Sequence, residues 1–155
     1  MNIVAIWAAW AAMALSAPHI QEPSIPPTPP ERTVSLTVEV DQLRNSKGRV
    51  QFALYDRDGT IPDEHYEHCC KRGTAPIVGG KATYTFTGLP PGRYAVNILH
   101  DENGNGKIDK GLFLPKEGIG FSNYSTIGLG NRPNFRKASF EVERDLRIRV
   151  HVVYL

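Results

Sequence analysis

The chain has 155 residues, with 18 Lys and Arg against 16 Asp and Glu, a formal net charge of +2. That length sets one domain, large enough to bury a core without help from a metal or a disulfide framework. The near balance of charge excludes the dense basic face of a dedicated nucleic-acid binder. Six Tyr, six Phe and many β-branched residues favour strands, while fourteen Gly and twelve Pro favour turns and loops.

Residues 1–21 hold no Asp, Glu, Lys or Arg, and Ile3–Ala17 is apolar apart from Ser16. The run is shorter than the roughly 20 residues that span a bilayer and has the length of a signal-peptide core. Residues 1–17 are therefore expected to be a signal peptide. Pro18 disfavours cleavage directly after Ala17, which leaves a cut after Ala14 or Ser16. The first residues carry no Lys or Arg, so a retained membrane anchor is the alternative. Six prolines follow, Pro18, Pro23, Pro26, Pro27, Pro29 and Pro30. Their fixed φ and missing N–H groups make residues 18–30 an extended tether. The folded domain is expected over residues 31–155, periplasmic or secreted, with no stable membrane span after processing.

From Val34 onward the apolar period is two. Val34, Leu36, Val38 and Val40 alternate with Ser35, Thr37 and Glu39; Val50, Phe52 and Leu54 follow. Ala82, Tyr84 and Phe86 alternate with threonines, and Tyr94, Val96 and Ile98 come after the Pro90–Gly92 turn. Phe140 and Val142 open a last pair that ends with Leu146, Ile148, Val150, Val152 and Tyr154. Such alternation marks strands with one buried and one wet face, and six of them with turns between predict an all-β sandwich or barrel.

Two insertions break the rhythm. In Gly59–Gly80, Pro62 followed by Asp63 and Glu64 predicts a short helix over Pro62–Arg72, with Gly73 as its stop. The second, His100–Lys137, has no sustained period and is punctuated by glycines. A loop of that length in a small domain is usually functional or ordered by what it binds.

Within it, Asp101, Asn103, Asn105 and Asp109 hold positions 1, 3, 5 and 9 of a calcium-type loop, and Gly106 holds position 6. Alternate residues turn oxygens inward, Gly106 permits the bend, and the Lys107 carbonyl is available at position 7. Leu112 stands where a bidentate acid is required, so an acid from elsewhere must close the site; Glu117, Asp56 and Asp58 are candidates. A polar Asn-Gly turn is the alternative to metal binding. A second, weaker cluster is His65, His68, Cys69 and Cys70, with side chains that suit zinc or copper; a plain polar segment with buried or chain-linking thiols is its alternative. Adjacent cysteines do not form an unstrained bridge with each other. For catalysis, Ser122 lies outside a nucleophile elbow. Arg147, Arg149 and His151 form a basic stripe read as a solvated sheet face.

Three stretches carry a family resemblance: Leu43–Leu54, Phe86–Ile108 with its His-Asp-Glu-Asn-Gly-Asn-Gly run, and Pro115–Asn123 followed by Pro133-Asn134-Phe135. Together they resemble a bacterial secreted family known as domain of unknown function 2141. The resemblance implies an exported protein with an immunoglobulin-like or transthyretin-like sandwich; with the alternation and the first insertion, the expectation is about six to seven strands and one short helix in an insertion. It implies no established activity. Cys69, Cys70 and the tether fall outside the family pattern. The expectation is a non-enzymatic exported binding module with a calcium-ordered loop, acting on an unknown ligand or cell-envelope partner and not on nucleic acid. A hydrolase-like enzyme around His100, Glu117 and Ser122, and zinc or copper handling through the His/Cys cluster, are the alternatives.

Overall fold

The computed structural model describes residues 31–111 and 115–155; the signal peptide and tether expected over residues 1–30 lie outside them. Val34–Asp41 forms β1, and its strict alternation buries Val34, Leu36, Val38 and Val40. Arg49–Tyr55 is β2, Lys71–Ala75 β3, Ala82–Leu89 β4, Gly92–Asp101 β5 and Gly118–Phe121 β6. A single helical turn, α1, covers Phe135–Ala138, followed by β7 at Phe140–Val142 and β8 at Leu146–His151.

These eight strands form two sheets. One has the order β4-β1-β8, and β1 runs antiparallel to β4 and parallel to β8. The other has the order β3-β2-β5-β6 and is antiparallel throughout, with β7 pairing the start of β5. The inner faces meet in one core that joins Leu36, Val38 and Phe86 of the first sheet to Val50, Phe52, Leu54, Val96 and Ile98 of the second. The chain is thus an all-β sandwich, as its alternation predicts. The basic stripe on β8 is neutralised by register: Glu39 pairs Arg147, and Asp41 pairs Arg149 at 3.3 Å. Exposed pairs of this kind add little stability, about 0–1 kcal/mol each.

β5 is buried along both faces from Tyr94 to Asp101. Its even-numbered residues face the sandwich core. Ala95 and Leu99 face the other way, into a second apolar cluster with Tyr55, Ile61, Tyr66, Phe121 and Phe135. That cluster is supplied largely by the two insertions, which cover the outer face of the larger sheet.

The helix expected over Pro62–Arg72 does not form. The Asp63 carboxylate accepts from the amides of Glu67 at 3.2 Å and His68 at 2.8 Å, so the chain wraps around it instead of rising as a helix. Tyr66 sits at φ 57°, a left-handed conformation that ends any helical turn. Lys71, Arg72 and Gly73 are then taken by pairing with β2. Gly73 is therefore not a helix stop but the centre of a strand. A Cβ built there would lie 2.0 Å from Tyr84 Cζ, whose ring fills the space and stacks on Phe52 at 5.6 Å. Among the described residues the one short helix is α1, in the second insertion, where Asn134 Oδ1 accepts from the Lys137 amide at 3.0 Å. No described helix is long and apolar enough to cross a membrane.

Candidate metal site

β5 delivers Asp101 to the mouth of the second insertion with its side chain fully buried. One carboxylate oxygen accepts from the Asn105 amide at 3.1 Å. The other accepts from the Gly106 amide at 3.0 Å and from Gln51 Nε2 at 2.8 Å. Gln51 stands on the same outer face of the neighbouring strand. The loop therefore winds around the carboxylate at its first position. Gly104 and Gly106, at φ 73° and 79°, supply the two left-handed residues this winding needs. At the base, Gly48 admits no side chain: a Cβ there would lie 1.8 Å from the Asp101 carbonyl oxygen.

The alternate positions turn toward one another, but with amide nitrogen rather than the expected oxygen aimed at Asp109. Asn103 Oδ1 accepts from the Asn105 amide at 3.0 Å, and Asn105 Oδ1 accepts from the Lys107 amide at 2.8 Å. The amide groups of Asn103 and Asn105 both reach Asp109, at 2.5 and 3.1 Å. Side chains from positions 3 and 5 thus converge on the carboxylate at position 9. Rotating either amide about its last bond would present oxygen in place of nitrogen.

Glu117 closes the arrangement. It is buried, with Oε1 accepting from the Glu102 amide at 2.9 Å and Oε2 lying 3.4 Å from the Asp109 amide. Of the three acids proposed to complete the loop, Glu117 alone is brought to it; Asp58 is paired with Arg136 at 2.6 Å, and Asp56 lies exposed at the end of β2. Among the described residues, Asp101, Asp109 and Glu117 have no ion-pair partner, because the nearby Arg44 is taken by Glu102 at 2.5 Å. Their charge reaches further: the buried Tyr66 phenol is pushed up by burial first, then by Asp101 and Asp63. Three carboxylates, two amides and a bent glycine backbone are the hard-oxygen donor set that suits calcium. The fit is one of backbone and charge, not of a closed cage. Among the described residues no three His, Cys, Asp or Glu side chains are clustered as ligands.

The other candidates are placed differently. His68 Nδ1 lies 3.6 Å from Asp63, His65 is exposed, Cys69 donates to the Tyr66 carbonyl and Cys70 to the Leu54 carbonyl. Both cysteines are free thiols, raised above the usual range first by burial. Ser122 is buried and donates to the Ala138 carbonyl at 2.7 Å while accepting from the Val96 amide at 2.9 Å. His100 is four residues further along β5, fully buried. Its Nε2 meets the Lys47 carbonyl at 3.0 Å and its Nδ1 the Tyr154 hydroxyl at 2.7 Å. A carbonyl only accepts, so Nε2 carries a proton. His100, Glu117 and Ser122 are therefore not brought together, and each is committed to holding backbone.

Sequence reasoning missed Gln51, which orients Asp101, and put Asp63 in a helix first turn, whereas its carboxylate organises the first insertion. Gln51 was visible only as a polar residue on the alternating face of β2. No curated protein and no solved structure matches the chain. The pattern of one bacterial family, described as an uncharacterised protein conserved in bacteria (DUF2141), matches residues 38–149, and the chain belongs to that family.

Proposed function

We propose that the chain is an exported, non-enzymatic binding module whose second insertion is ordered by calcium bound at Asp101, Asn103, Asn105, the Lys107 carbonyl and Asp109, with Glu117 in place of the missing twelfth-position acid. The observation that carries this reading is the winding of the loop around the buried Asp101 carboxylate, with Glu117 spanning from Glu102 to Asp109. A bound cation would neutralise three carboxylates that have no basic partner among the described residues and fix the insertion that covers the larger sheet. Export rests on the apolar run Ile3–Ala17 and the proline tether. On this reading the protein works outside the cytoplasm, where a calcium affinity on the order of 10⁻⁴ to 10⁻³ M is sufficient.

Thermal melting of the purified protein tests it. A ligand at ten times its Kd stabilises the folded state by about 1.4 kcal/mol, a rise of several degrees for a domain of this size. Calcium at about 10 mM should produce that rise and magnesium should reproduce it poorly, because magnesium demands tighter octahedral geometry. Asp101→Ala should abolish the response, whereas Glu141→Gln, on the exposed face of β7, should keep it. Identical melting in calcium and in chelator would refute the reading.

A further inference from the structure

A strand at the rim of a sheet presents unpaired N–H and C=O groups to any other chain, and proteins blunt such rims with charge, shortness or cover. Three rims of this sandwich are blunted. β3 carries the exposed pair Lys71 and Arg72. β6 is four residues long, and Ile119 exchanges both backbone bonds with Val153, at 3.0 and 2.7 Å. β8 carries Arg147 and Arg149 on its wet face. β4 is the exception. It is the outer strand of its sheet, eight residues long, and its run Ala-Thr-Tyr-Thr-Phe-Thr-Gly-Leu holds no charge and no proline. Among the described residues β4 pairs with β1 alone. One of its carbonyls is occupied from outside the sheet: Lys71 Nζ donates to the Thr87 carbonyl at 2.7 Å, which leaves Ala82–Phe86 open.

We propose that a second copy of the chain pairs with this rim, β4 running antiparallel to its own equivalent across a two-fold axis. The occupant follows from the strand itself. A two-fold axis normal to the sheet makes identical strands antiparallel, so each copy supplies the complement of the other. The exposed side chains of β4 are Thr83, Thr85 and Thr87. They are uncharged, so the strand brings no like charges to the axis and offers none to select a basic or an acidic partner. Thr85 makes the required kind of contact on its paired side, where its hydroxyl lies 2.9 Å from that of Thr37; cross-strand threonine pairs favour pairing. The product is a continuous sheet in which β8-β1-β4 of one copy meets the same three strands of the other in reverse. Its two rims are then β8, with its arginines, so growth stops at two copies. A strand pair this short buries less than the roughly 1,200 Å² at which standard interfaces begin, so the association is weak. No residue of the calcium-type loop takes part, so either proposal stands if the other fails.

Sedimentation of the full chain from about 10 µM to about 1 mM, the range of weak association, tests this directly. It should show a reversible equilibrium between monomer and dimer with no larger species. Over the same range, hydrogen exchange should slow at the β4 amides that face away from β1. Thr85→Lys puts like charges on both sides of the pairing and should weaken association by about tenfold or more. Thr83→Lys, opposite Glu39 in the β1 register, should do the same and guards against a folding defect in the first variant. Thr74→Lys, the same change at an exposed position of β3, should leave association unchanged. A monomer at every concentration overturns the proposal. So does association undiminished in both β4 variants, an equal loss in Thr74→Lys, exchange in β4 that ignores concentration, or growth into larger assemblies.

Discussion

Glu117 lies across the calcium-type loop from Asp109, its Oε2 3.4 Å from the Asp109 amide while its Oε1 holds the amide of Glu102. One buried side chain thus ties the beginning of the loop to its end. The loop lacks an acid at its twelfth position, and Glu117 restores a carboxylate from five residues further on. Glu117→Gln keeps the shape and one acceptor oxygen but removes the charge. It should weaken calcium affinity about tenfold, the effect of losing about 1.4 kcal/mol, with a smaller loss of stability in chelator. Calcium titration of both proteins checks it; equal affinities would remove Glu117 from the site.

Gly73 is the point where the edge strand β3 meets the other sheet. Gly73→Ala places a methyl group inside the Tyr84 ring position and must displace Tyr84 from Phe52. Overpacking of this kind costs about 1–3 kcal/mol. Urea unfolding should show a lower midpoint with an unchanged slope. In a Tyr84→Ala background the same substitution should cost much less, because the clash is gone; an equal cost in both backgrounds would contradict the packing described.

Asp63 makes an acid-sensitive contribution. Its folded-state pKa lies below the ordinary value because backbone amides outweigh burial. The stability it contributes is therefore present above its unfolded value, about pH 4, and is lost as pH falls through the folded value. Asp63→Asn should destabilise the protein at neutral pH by about 1–3 kcal/mol. The gap to wild type should narrow as pH drops below about 4. A gap independent of pH would show that the charge plays no part.

Cys70 should be a sluggish thiol. Burial pushes its pKa up to about 11, and its Sγ donates to the Leu54 carbonyl. Only the thiolate reacts, so alkylation by iodoacetamide should be slow at pH 8 and rise about tenfold per pH unit up to pH 10. An inflection below about pH 9, near the ordinary thiol value, would contradict the environment assigned to it.

Some of this was open to reading from residue order, and the rest was hidden for physical reasons. β1 and β4 announce themselves because each has one core face and one wet face, and period two survives only in that case. β5 misleads. Tyr94, Val96 and Ile98 suggest a one-sided strand, yet Ala95 and Leu99 are also apolar because the insertions bury the second face. β3 carries no apolar run at all; Lys71, Arg72 and Gly73 join the sheet through backbone pairing and through room for Tyr84, which local sequence does not display. The winding of Asp101–Asp109 was legible because the side chains that turn toward one another are local in sequence. That Glu117 reaches the loop was legible only as one of three acids, since the choice depends on β6 returning beside β5.

The central claim is that Asp101–Asp109 and Glu117 form a calcium site. Its most direct measurement is a calcium titration of chelator-treated protein followed by amide NMR. Saturable shifts should concentrate at Asn105, Gly106 and Asp109, with a Kd on the order of 10⁻⁴ to 10⁻³ M. The same residues should be unmoved by calcium in Asp101→Ala. Unchanged loop amides in the wild-type protein at about 10 mM calcium, well above the weakest affinity expected of such a loop, would show that the segment is a polar turn and would contradict the account.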